Sequence, residues 1–521
     1  MVEEDTAVKP YAPEPYSDFS QEEPRSAYSA AVERVAAALP GSAPVIIAGA
    51  ARETETTIES VNPARPESLV ANAGSADATD AAAAVDAAWA AFEDWSRTPA
   101  TERAAVVHRI GDEMADRLFD FAAWMTLEAG KNFAESEADT AEAIDFCRYY
   151  AHQALEMDEP VPVYDYPGET NVSFLRPLGA GVVIPPWNFP LAILAGMAVG
   201  PVAAGNTVVL KPASNTPMIG AMFMDAVQAA GVPPGAINFL PGAGGTIGDA
   251  LVDNPRTRFI NFTGSKEVGL RIAGRAASVQ SGQRWMKRSY MEMGGKDALI
   301  VDETADLDAA AADAVRSAYG YQGQKCSACS RLIIVEAVYD EVLDRVLDLT
   351  AQLSVGDPVD NHAVGPVISA AQHRSILDEI EMGRGEAALV VGGSAIDLDG
   401  GYYIEPTIFA DVAPNSRLAQ HEIFGPVLSV IRAADFDDAL AIANGTEFGL
   451  TGGLYSTSEE NIDRAERDFN VGNLYVNRKI TGALVGIQPF GGFNMSGSNA
   501  KAGGPDYLRL FMEMKSVTRR L

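Results

Sequence analysis

Apolar residues recur every three or four positions from Ala76 to about Glu156, with polar residues between them. This spacing gives a helix one apolar face, and it predicts three amphipathic helices in succession. Gly130 follows the second of these patterns directly and predicts where that helix ends. Upstream, the apolar run at 43–52 predicts a strand and a turn, whereas the Pro- and acid-rich residues 1–25 predict a poorly packed lead-in.

The pattern changes at about residue 157, where apolar and polar residues alternate on both sides of a Pro-Gly pair. That alternation predicts a β-hairpin over 157–179. Short apolar strands then alternate with helical patterns as far as about residue 264, and a second such series runs from about 297 to 485. Strands that alternate with helices are typical of parallel sheets, so the sequence predicts an α/β fold.

The most membrane-like segment is Leu191–Ala204, which is too short to span a bilayer and contains Pro201. It predicts a buried helix and no membrane association. The first five residues are acidic and no apolar run follows them, so no signal peptide is expected. The three cysteines, Cys147, Cys326 and Cys329, are too few for a disulfide framework and indicate a reducing compartment, so we expect a cytoplasmic protein.

Acidic residues outnumber basic residues by 71 to 39, which gives a net charge of −32 at pH 7. A surface this acidic repels phosphate backbones, so we do not expect a nucleic-acid partner. Only ten of the 39 basic residues are lysines, and the acidic residues are spread along the whole chain. This composition favours a surface adapted to high salt, where screening removes self-repulsion; an ordinary acidic cytosolic protein is the alternative.

Several familiar site patterns are missing from the sequence. It has no GxxxxGK[ST] segment, which excludes a P-loop, and no second histidine stands four residues after His421 to complete a zinc-protease motif. Cys326 and Cys329 form a CxxC pair, which could serve redox chemistry or bind zinc. Zinc prefers four ligands, however, and only Cys147 could supply a third thiolate, so no metal site is predicted.

Three side chains stand in settings that favour catalysis. Asn188 lies in a proline-stiffened loop (185–190), where a carboxamide can be a fixed hydrogen-bond donor. Glu292 lies among apolar residues beside a glycine pair, and desolvation there would raise its pKa and suit it to act as a general base. Cys326 follows Lys325, whose charge would favour a nucleophilic thiolate. Taken singly, each has an ordinary alternative: a packing loop, a solvated carboxylate or a buried inert thiol.

Two glycine-rich turns indicate phosphate binding. A predicted strand runs into Gly264, and Gly269 opens a helix whose first amides could approach a phosphate closely. Gly242, Gly244 and Gly248 form a second turn of this kind. The spacing is not the GxGxxG fingerprint of dinucleotide-binding proteins, so these turns are a weak signal when taken alone.

Together these segments resemble the motifs of the aldehyde dehydrogenase superfamily, in the same order and over essentially the whole chain. The resemblance extends to KPASNTP (211–217), HEIFGPV (421–427) and PFGGFNMSG (489–497), and Cys326 lies 34 residues after Glu292, as it does in that family. The opening PYAPEPYSDFS, the segments EAIDFCRYYA and YQGQKCSACSR and the tail QPFGGFNMSG…KAGGPDYLRLF more narrowly resemble monofunctional 1-pyrroline-5-carboxylate dehydrogenases. That resemblance implies NAD-dependent oxidation of L-glutamate γ-semialdehyde to L-glutamate, the second step of proline degradation.

The resemblance also implies roles for the catalytic residues. Cys326 would attack the aldehyde to form a thiohemiacetal, which becomes a thioester after hydride transfer. Asn188 and the Cys326 backbone N–H would hold the oxyanion, and Glu292 would activate the water that hydrolyses the thioester. The cofactor-binding residues that it implies are Pro186, Trp187, Lys211, Ser214, Gly244, Gly264, Ser265, Gly269, Glu422 and Phe424. Ser214 stands where strongly NAD-selective members often carry Glu, so NADP stays open.

For the substrate, the family pattern implies contacts with both the charged and the aliphatic parts of the molecule. Gly482 and Ala483 would anchor the carboxylate with backbone N–H groups, and Glu142 would face the charged end. The complete set of implied substrate-binding residues is Glu142, Phe189, Lys325, Ser327, Gly482, Ala483 and Phe490. Glu142 taken alone has the ordinary alternative of a helix-surface acid.

The implied architecture has three parts. Residues 1–156 and 180–292 would form a Rossmann-like NAD-binding domain and residues 293–485 an α/β catalytic domain, while 157–179 and 486–521 would form an oligomerisation flap and a substrate-anchor tail. A homodimer or an assembly of dimers is expected. The alternatives are another acid-semialdehyde dehydrogenase, such as one for succinate semialdehyde, a catalytically silent family member that serves a structural or binding role, and a redox sensor based on the CxxC pair.

Overall fold

The computed structural model of the protein describes residue 8 and residues 10–521. The acidic first five residues, and with them the prediction that there is no signal peptide, lie outside the described residues. The described α-helices are α1 (Glu22–Ala37), α2 (Ala78–Trp95), α3 (Ala100–Ala115), α4 (Leu118–Ala129), α5 (Phe133–Glu156), α6 (Ala192–Ala203), α7 (Pro217–Ala229), α8 (Asp249–Asp253), α9 (Lys266–Ala277), α10 (Leu307–Tyr319), α11 (Tyr339–Ala351), α12 (Ala370–Gly383), α13 (Arg417–Gln420), α14 (Phe436–Asn444) and α15 (Glu459–Asp468).

Strands alternate with these helices through most of the chain, as the pattern predicts. The strands are β1 (Gly41–Ala43), β2 (Val45–Ile47), β3 (Ala50–Arg52), β4 (Thr57–Asn62), β5 (Arg65–Gly74), β6 (Glu169–Pro177), β7 (Ala180–Ile184), β8 (Thr207–Leu210), β9 (Ile237–Phe239), β10 (Phe259–Thr263), β11 (Arg288–Glu292), β12 (Asp297–Val301), β13 (Cys329–Val335), β14 (Ala388–Val391), β15 (Ala395–Ile396), β16 (Tyr403–Ile404), β17 (Thr407–Ala410), β18 (Val427–Ala433), β19 (Thr451–Tyr455), β20 (Asn473–Val476) and β21 (Met512–Arg520).

The N-terminal region is better ordered than the sequence predicts. Helix α1 follows the Pro-rich opening directly and was not predicted, although Tyr28, Ala31, Val32 and Val35 have helical spacing and are all buried. From residue 10 onward the opening is hydrogen-bonded to the rest of the protein, although none of residues 10–25 is buried, so the expectation of a poorly packed lead-in is only partly wrong. Tyr11, for example, donates a hydrogen bond from its hydroxyl to a backbone carbonyl 474 residues away.

The helical region from 76 to 156 contains four helices rather than three. Asp77 begins α2 with a capping box, since its side chain accepts hydrogen bonds from two amides of the first turn. The single helix predicted before Gly130 is broken between α3 and α4, because the backbone of Arg117 leaves the helical region (φ −123°, ψ 25°). Gly130 ends α4 in the left-handed conformation (φ 70°), as predicted.

The first large sheet has the strand order β11-β10-β7-β8-β9-β2-β3. Strands β11 to β9 run parallel, and β2 and β3 form an antiparallel pair at one edge, which confirms the strand and turn predicted at 43–52. Strands β8 and β9 are entirely buried, which explains their continuous apolar runs. The parallel strands β7, β8 and β10 end just before residues predicted to bind the cofactor, and β11 ends at the predicted catalytic residue Glu292.

The helix predicted at Leu191–Ala204 is the buried α6, with Pro201 inside it and every residue but Ile193 buried. It packs between the first sheet and α5. Across residue 8 and residues 10–521, no helix combines the length and the apolar character needed to cross a membrane.

The second large sheet has the order β14-β17-β18-β13-β12-β19-β20. It is parallel from β17 to β20, and β14 is an antiparallel edge strand. Its central strand β13 begins three residues after Cys326, whereas Glu292 is the last residue of β11 in the first sheet. The two side chains are therefore supplied by different sheets.

A two-stranded antiparallel ribbon stands apart from both large sheets. Strand β6 pairs with β21 over nine residues, from Glu169 opposite Arg520 to Pro177 opposite Met512. The hairpin predicted at 157–179 is thus wrong in one arm, since its first half contributes one isolated bridge, Val161 to Ser173. The reason is that this half is rich in proline, which has no N–H to donate to a strand ladder.

Candidate active site

A cavity with an empty volume of about 900 Å³, part of it open to solvent, lies between the two large sheets. Residues from the ends of β10 and β11 meet residues that precede β13 and follow β20 around it. The cavity is lined by eight of the residues predicted to act in chemistry or substrate binding: Glu142, Phe189, Glu292, Cys326, Ser327, Gly482, Ala483 and Phe490. Residues that are far apart in the sequence therefore share one site.

Cys326 is half-buried in a loop between α10 and β13. The loop begins with three successive residues in the left-handed region, Tyr321 (φ 49°), Gln322 (φ 55°) and Gly323 (φ 67°). The glycine is required here, because a Cβ on Gly323 would stand 2.2 Å from the Gly425 carbonyl oxygen. Such a backbone is strained for the two side-chain-bearing residues, which indicates that the surrounding structure imposes the loop conformation.

The charge environment of Cys326 differs from the sequence prediction. Burial raises the pKa of its thiol well above the usual value, and the carboxylates of Glu292, Asp297 and Glu422 raise it further. Lys325 does not supply the expected opposing charge, because its Nζ forms an ion pair with Glu135 at 2.7 Å. Lys325 also lies outside the residues that line the cavity. The resting thiol is therefore protonated and requires a base before it can attack.

Glu292 has the properties of that base. Burial raises the pKa of its carboxyl to about 8, with Lys501 the largest opposing influence. Its Oε1 atom is buried and has no hydrogen-bond partner among the residues that the structure describes. Its main chain is fixed on both sides, since its carbonyl accepts a bond from Gly264 N at 3.0 Å and the next amide donates to the Ser496 carbonyl at 2.7 Å. The predicted effect of desolvation on this carboxyl is confirmed.

Asn188 lies beside the cysteine loop. Its side chain is 4% exposed, and its Nδ2 donates to the Gln324 carbonyl at 2.9 Å, two residues before Cys326. A primary amide nitrogen carries two protons, and this bond uses one of them. Gln324 is itself held, because its Oε1 accepts from the Ile368 amide at 3.0 Å. The carboxamide is thus anchored to the segment that carries the thiol.

Most of the predicted cofactor residues lie at the carboxyl edge of the first sheet, whereas Glu422 and Phe424 precede β18 of the second sheet. Gly244 lies in a π-helical turn (Gly244–Gly248), where Cβ atoms on Gly244, Gly245 and Gly248 would meet nothing within 4 Å. Ser265 caps α9, a helix of 12 residues whose first amides can receive a phosphate. An open glycine turn beside a helix N-terminus fits a dinucleotide, and it needs no GxGxxG spacing.

Close packing explains the two glycines that flank this helix start. A Cβ on Gly264 would stand 2.6 Å from the ring of Phe262, and one on Gly269 would stand 2.5 Å from the sulfur of Met293. Glycine at these positions therefore lets α9 lie close to the sheet. The N-terminus of α9, with its unpaired amides, is in this way held next to the end of β10.

Of the polar residues predicted to bind the cofactor, Lys211 is buried, Ser214 and Glu422 are half-buried and Ser265 is exposed. Lys211 is 5% exposed, its Nζ donates to the Pro212 carbonyl at 3.2 Å, and burial lowers its pKa to about 8. Ser214 donates from its hydroxyl to the Gly242 carbonyl at 3.4 Å. These contacts place a cation and a small hydroxyl, rather than a carboxylate, after β8.

At the other end of the cofactor region, Glu422 accepts a bond from Gly295 N at 3.1 Å, and burial raises its pKa to about 7. Trp187 and Phe424 pack edge to face with ring centroids 5.5 Å apart. The half-buried Pro186 lies next to that tryptophan in the chain. This end of the region is therefore aromatic, with one carboxylate beside it.

Several lining residues were not predicted, among them Asn261, Tyr290 and Tyr507. The Nδ2 of Asn261 donates to the hydroxyl of Tyr507 at 2.9 Å, which joins β10 to the C-terminal tail. Their spacing carries no catalytic pattern, and only their place in a strand and in the tail motif could have drawn attention to them. The CxxC pair forms no site of its own, since Cys329 is a buried free thiol whose Sγ donates to the Arg331 carbonyl.

The site and fold can be compared with known proteins. The sequence pattern of the aldehyde dehydrogenase family matches residues 50–517. The chain belongs to the aldehyde dehydrogenase family. Within it, the chain is 52% identical to the 1-pyrroline-5-carboxylate dehydrogenase of Geobacillus thermodenitrificans (strain NG80-2), over 98% of this chain and 99% of that one.

Solved structures of aldehyde dehydrogenases give the same picture. A 1-pyrroline-5-carboxylate dehydrogenase from Thermus with bound NAD superposes with a TM-score of 0.98 at 52% identity, over 99% of this chain and all of that one. Proline utilization A from Bdellovibrio bacteriovorus superposes with a TM-score of 0.96 at 43% identity, over 98% of this chain and 53% of that one. The predicted fold and the resemblance to this branch of the family are confirmed.

Proposed function

We propose that the protein oxidises L-glutamate γ-semialdehyde to L-glutamate with NAD, in the second step of proline degradation. The observation that carries this proposal is the shared cavity, in which Cys326 and Glu292 stand together with Gly482, Ala483 and Glu142. A nucleophile and a base suit aldehyde oxidation, and the last three residues suit a substrate that is charged at its far end. The names of the relatives support the same substrate.

The first chemical step forms a bond between the Cys326 sulfur and the aldehyde carbon. Since the buried thiol is protonated, Glu292 takes its proton as the sulfur attacks. The aldehyde oxygen becomes an oxyanion, which would accept hydrogen bonds from the second side-chain N–H of Asn188 and from the backbone N–H of Cys326. The product of this step is a thiohemiacetal on the enzyme.

The Gly244–Gly248 turn and the start of α9 would hold NAD, with Lys211 and Glu422 toward its two riboses. When bound, NAD accepts the hydride that leaves the former aldehyde carbon. Cys326 is then acylated as a thioester. Glu292, after losing its first proton to solvent, accepts a proton from water, which adds to the thioester carbon and displaces the Cys326 thiolate. A pKa near 8 suits both duties, because the carboxyl can gain and lose a proton near neutral pH.

The far end of the cavity would select the amino-acid part of the substrate. Gly482 has φ 77°, and the backbone amides of Gly482 and Ala483 would bind the carboxylate as an anion nest. Lys479 lies beside this turn, within 3.5 Å of the position of a Cβ on Gly482, and adds positive potential. Glu142, a carboxylate that also lines the cavity, would face the ammonium group of the substrate. Phe189 and Phe490 would enclose its aliphatic middle.

A substrate panel tests the assignment. We expect NAD-dependent kcat/KM to be higher for L-glutamate γ-semialdehyde than for succinate semialdehyde, which has the carboxylate but no ammonium group. A Glu142→Gln variant should lose this preference by weakening binding of the first substrate only. Preference of the unmodified protein for succinate semialdehyde would overturn the substrate assignment. Parallel assays with NADP would show whether Ser214 permits this cofactor. Unlike a carboxylate at that position, serine neither binds the ribose 2′-hydroxyl of NAD strongly nor repels the 2′-phosphate of NADP.

The remaining expectations belong to the same proposal. Residues 1–156 and 180–292 would form the NAD-binding domain and 293–485 the catalytic domain. The β6–β21 ribbon leaves Val172, Phe174 and Met514 exposed, which supports a role as an oligomerisation flap in a homodimer or an assembly of dimers. The protein would work in the cytoplasm, and its excess of acidic residues supports adaptation to high salt.

A further inference from the structure

The opening motif PYAPEPYSDFS (10–20) has no part in the chemistry proposed above. In the structure it crosses the surface of α5, the helix that carries Glu142, and ends at the beginning of α1. We name residues 10–17 the N-terminal strap. Its contacts lead from this helix to the loop that contains Gly482 and Ala483.

The strap is fastened to α5 at two places. Glu14 donates its backbone N–H to Asp145 Oδ1 at 2.8 Å, and its side chain forms an ion pair with Arg148. About two helical turns earlier in α5, both carboxylate oxygens of Glu137 accept the Ser17 backbone N–H, at 3.1 and 3.0 Å. Bonds through backbone amides fix the path of the strap, whatever its side chains do.

The far end of the strap reaches the substrate-anchor loop (residues 481–487). The hydroxyl of Tyr11 donates to the Val485 carbonyl at 2.7 Å, two residues after Ala483. The ring of Tyr11 also packs edge to face on Tyr149 of α5, with centroids 5.3 Å apart. Gly486 has φ 75°, and a Cβ there would stand 3.0 Å from both rings. The loop thus passes closely between the strap and the helix.

Other bonds also hold the anchor loop: the Gly482 carbonyl accepts from Arg478 Nη2 at 3.4 Å, and the Leu484 amide donates to Gln488 Oε1 at 2.9 Å. Ile480 donates its amide to Ser317 Oγ at 3.2 Å, and Gly486 donates its amide to the Gly503 carbonyl at 2.9 Å. Gly482 itself is exposed and has the freedom of a glycine. The Tyr11 bond therefore acts between these supports, close to the amides that would bind the carboxylate.

We propose that the N-terminal strap positions the anchor loop, and that Tyr11 is a positioning residue for recognition of the substrate's carboxylate. This inference rests on the function proposed above. Preformed backbone amides bind an anion without first paying the entropy of ordering the loop, so the strap would improve affinity for the semialdehyde rather than the rate of its chemistry. Aldehydes without a carboxylate would gain nothing from it.

The test compares Tyr11→Phe with a matched control, Tyr149→Phe. Both variants lose one hydroxyl beside the same loop, but the Tyr149 hydroxyl makes no hydrogen bond to any residue that the structure describes. We expect Tyr11→Phe to raise KM for L-glutamate γ-semialdehyde about five-fold, the effect of one net hydrogen bond. Its kcat, its KM for NAD and its kcat/KM for propanal should stay within about two-fold of the unmodified protein. The control should leave all four unchanged.

Two results would overturn the inference: an unchanged KM for the semialdehyde in Tyr11→Phe, or an equal loss with propanal, which would indicate general loosening of the site. Hydrogen–deuterium exchange gives a readout independent of activity. Amides 482–487 should exchange faster in Tyr11→Phe than in the control, and equal exchange counts against the strap. Failure of the proposed function would look different, because the unmodified protein would then not prefer the γ-semialdehyde at all.

Discussion

The raised pKa of Glu292 leads to a specific dependence of turnover on pH. The attack of Cys326 and the hydrolysis of the thioester both need this carboxyl in its deprotonated form, so kcat should follow its titration when either of these steps limits the rate. With a pKa of about 8, about a tenth of the molecules carry the active form at pH 7 and about a hundredth at pH 6. We therefore expect kcat to rise about ten-fold from pH 6 to pH 7 and to level off above about pH 9.

The assay is NADH formation at saturating semialdehyde between pH 6 and 9.5, since kcat at saturation is insensitive to the fraction of substrate in the open form. Glu292→Gln should lower kcat by at least about 10² and remove the inflection near pH 8. Lys501→Met removes the cation that most opposes the rise in this pKa, so the inflection should move to higher pH. Lys515→Met, which changes an exposed lysine of β21, is the control and should leave it in place.

Two outcomes would refute the reasoning. A kcat that stays constant from pH 6 to 9.5 would mean that the carboxyl titrates near the ordinary glutamate value, about pH 4, and that burial does not raise its pKa. An inflection near pH 8 that persists in Glu292→Gln would assign the titration to a different group. Lys501 also donates to the Gly472 and Gly491 carbonyls, so its variant is compared with the unmodified protein by thermal melting before the profiles are interpreted.

Three further predictions concern the nucleophile, the oxyanion and the surface. Cys326→Ala should abolish NADH formation while leaving NAD binding intact in a calorimetric titration; substantial residual turnover would disprove its role. Asn188→Ala should lower kcat by about 10²–10³ with little change in the KM for NAD, and a change confined to that KM would argue for a role in cofactor binding instead. Thermal stability and activity should both rise from low salt into molar salt, because screening relieves repulsion among the excess carboxylates; a maximum near zero salt would reject adaptation to high salt.

The alternation of strands and helices was sufficient to predict the fold class, because parallel strands are buried on both faces and leave continuous apolar runs. Patterns that depend on packing between distant segments were harder to read. Helix α1 was overlooked behind a Pro-rich opening, although its four buried residues have helical spacing. Strand β6 was assigned the wrong partner, since alternation shows that a segment is a strand but not which strand it pairs with.

The same limit applies to the site. The family motifs predict which residues meet, and eight of them do line one cavity. They do not predict the electrostatic environment of the Cys326 thiol. Lys325 was expected to favour a thiolate because it precedes Cys326, yet its side chain forms an ion pair with Glu135 of α5. Adjacency along a chain says little about where a long flexible side chain finds its counter-charge. Asn261 and Tyr507 were missed because their bond joins segments 246 residues apart.

The hydrogen bond by which the Ser496 carbonyl fixes the main chain after Glu292 has a consequence for how the protein matures on the ribosome. The nucleophile's loop and both neighbouring strands of its sheet can be in place while that tail is still inside the ribosomal exit tunnel. The carboxyl group cannot be seated until the tail emerges and closes over β11. We therefore expect the Cys326 loop to be able to fold before the segment around Glu292 acquires its last main-chain hydrogen bonds.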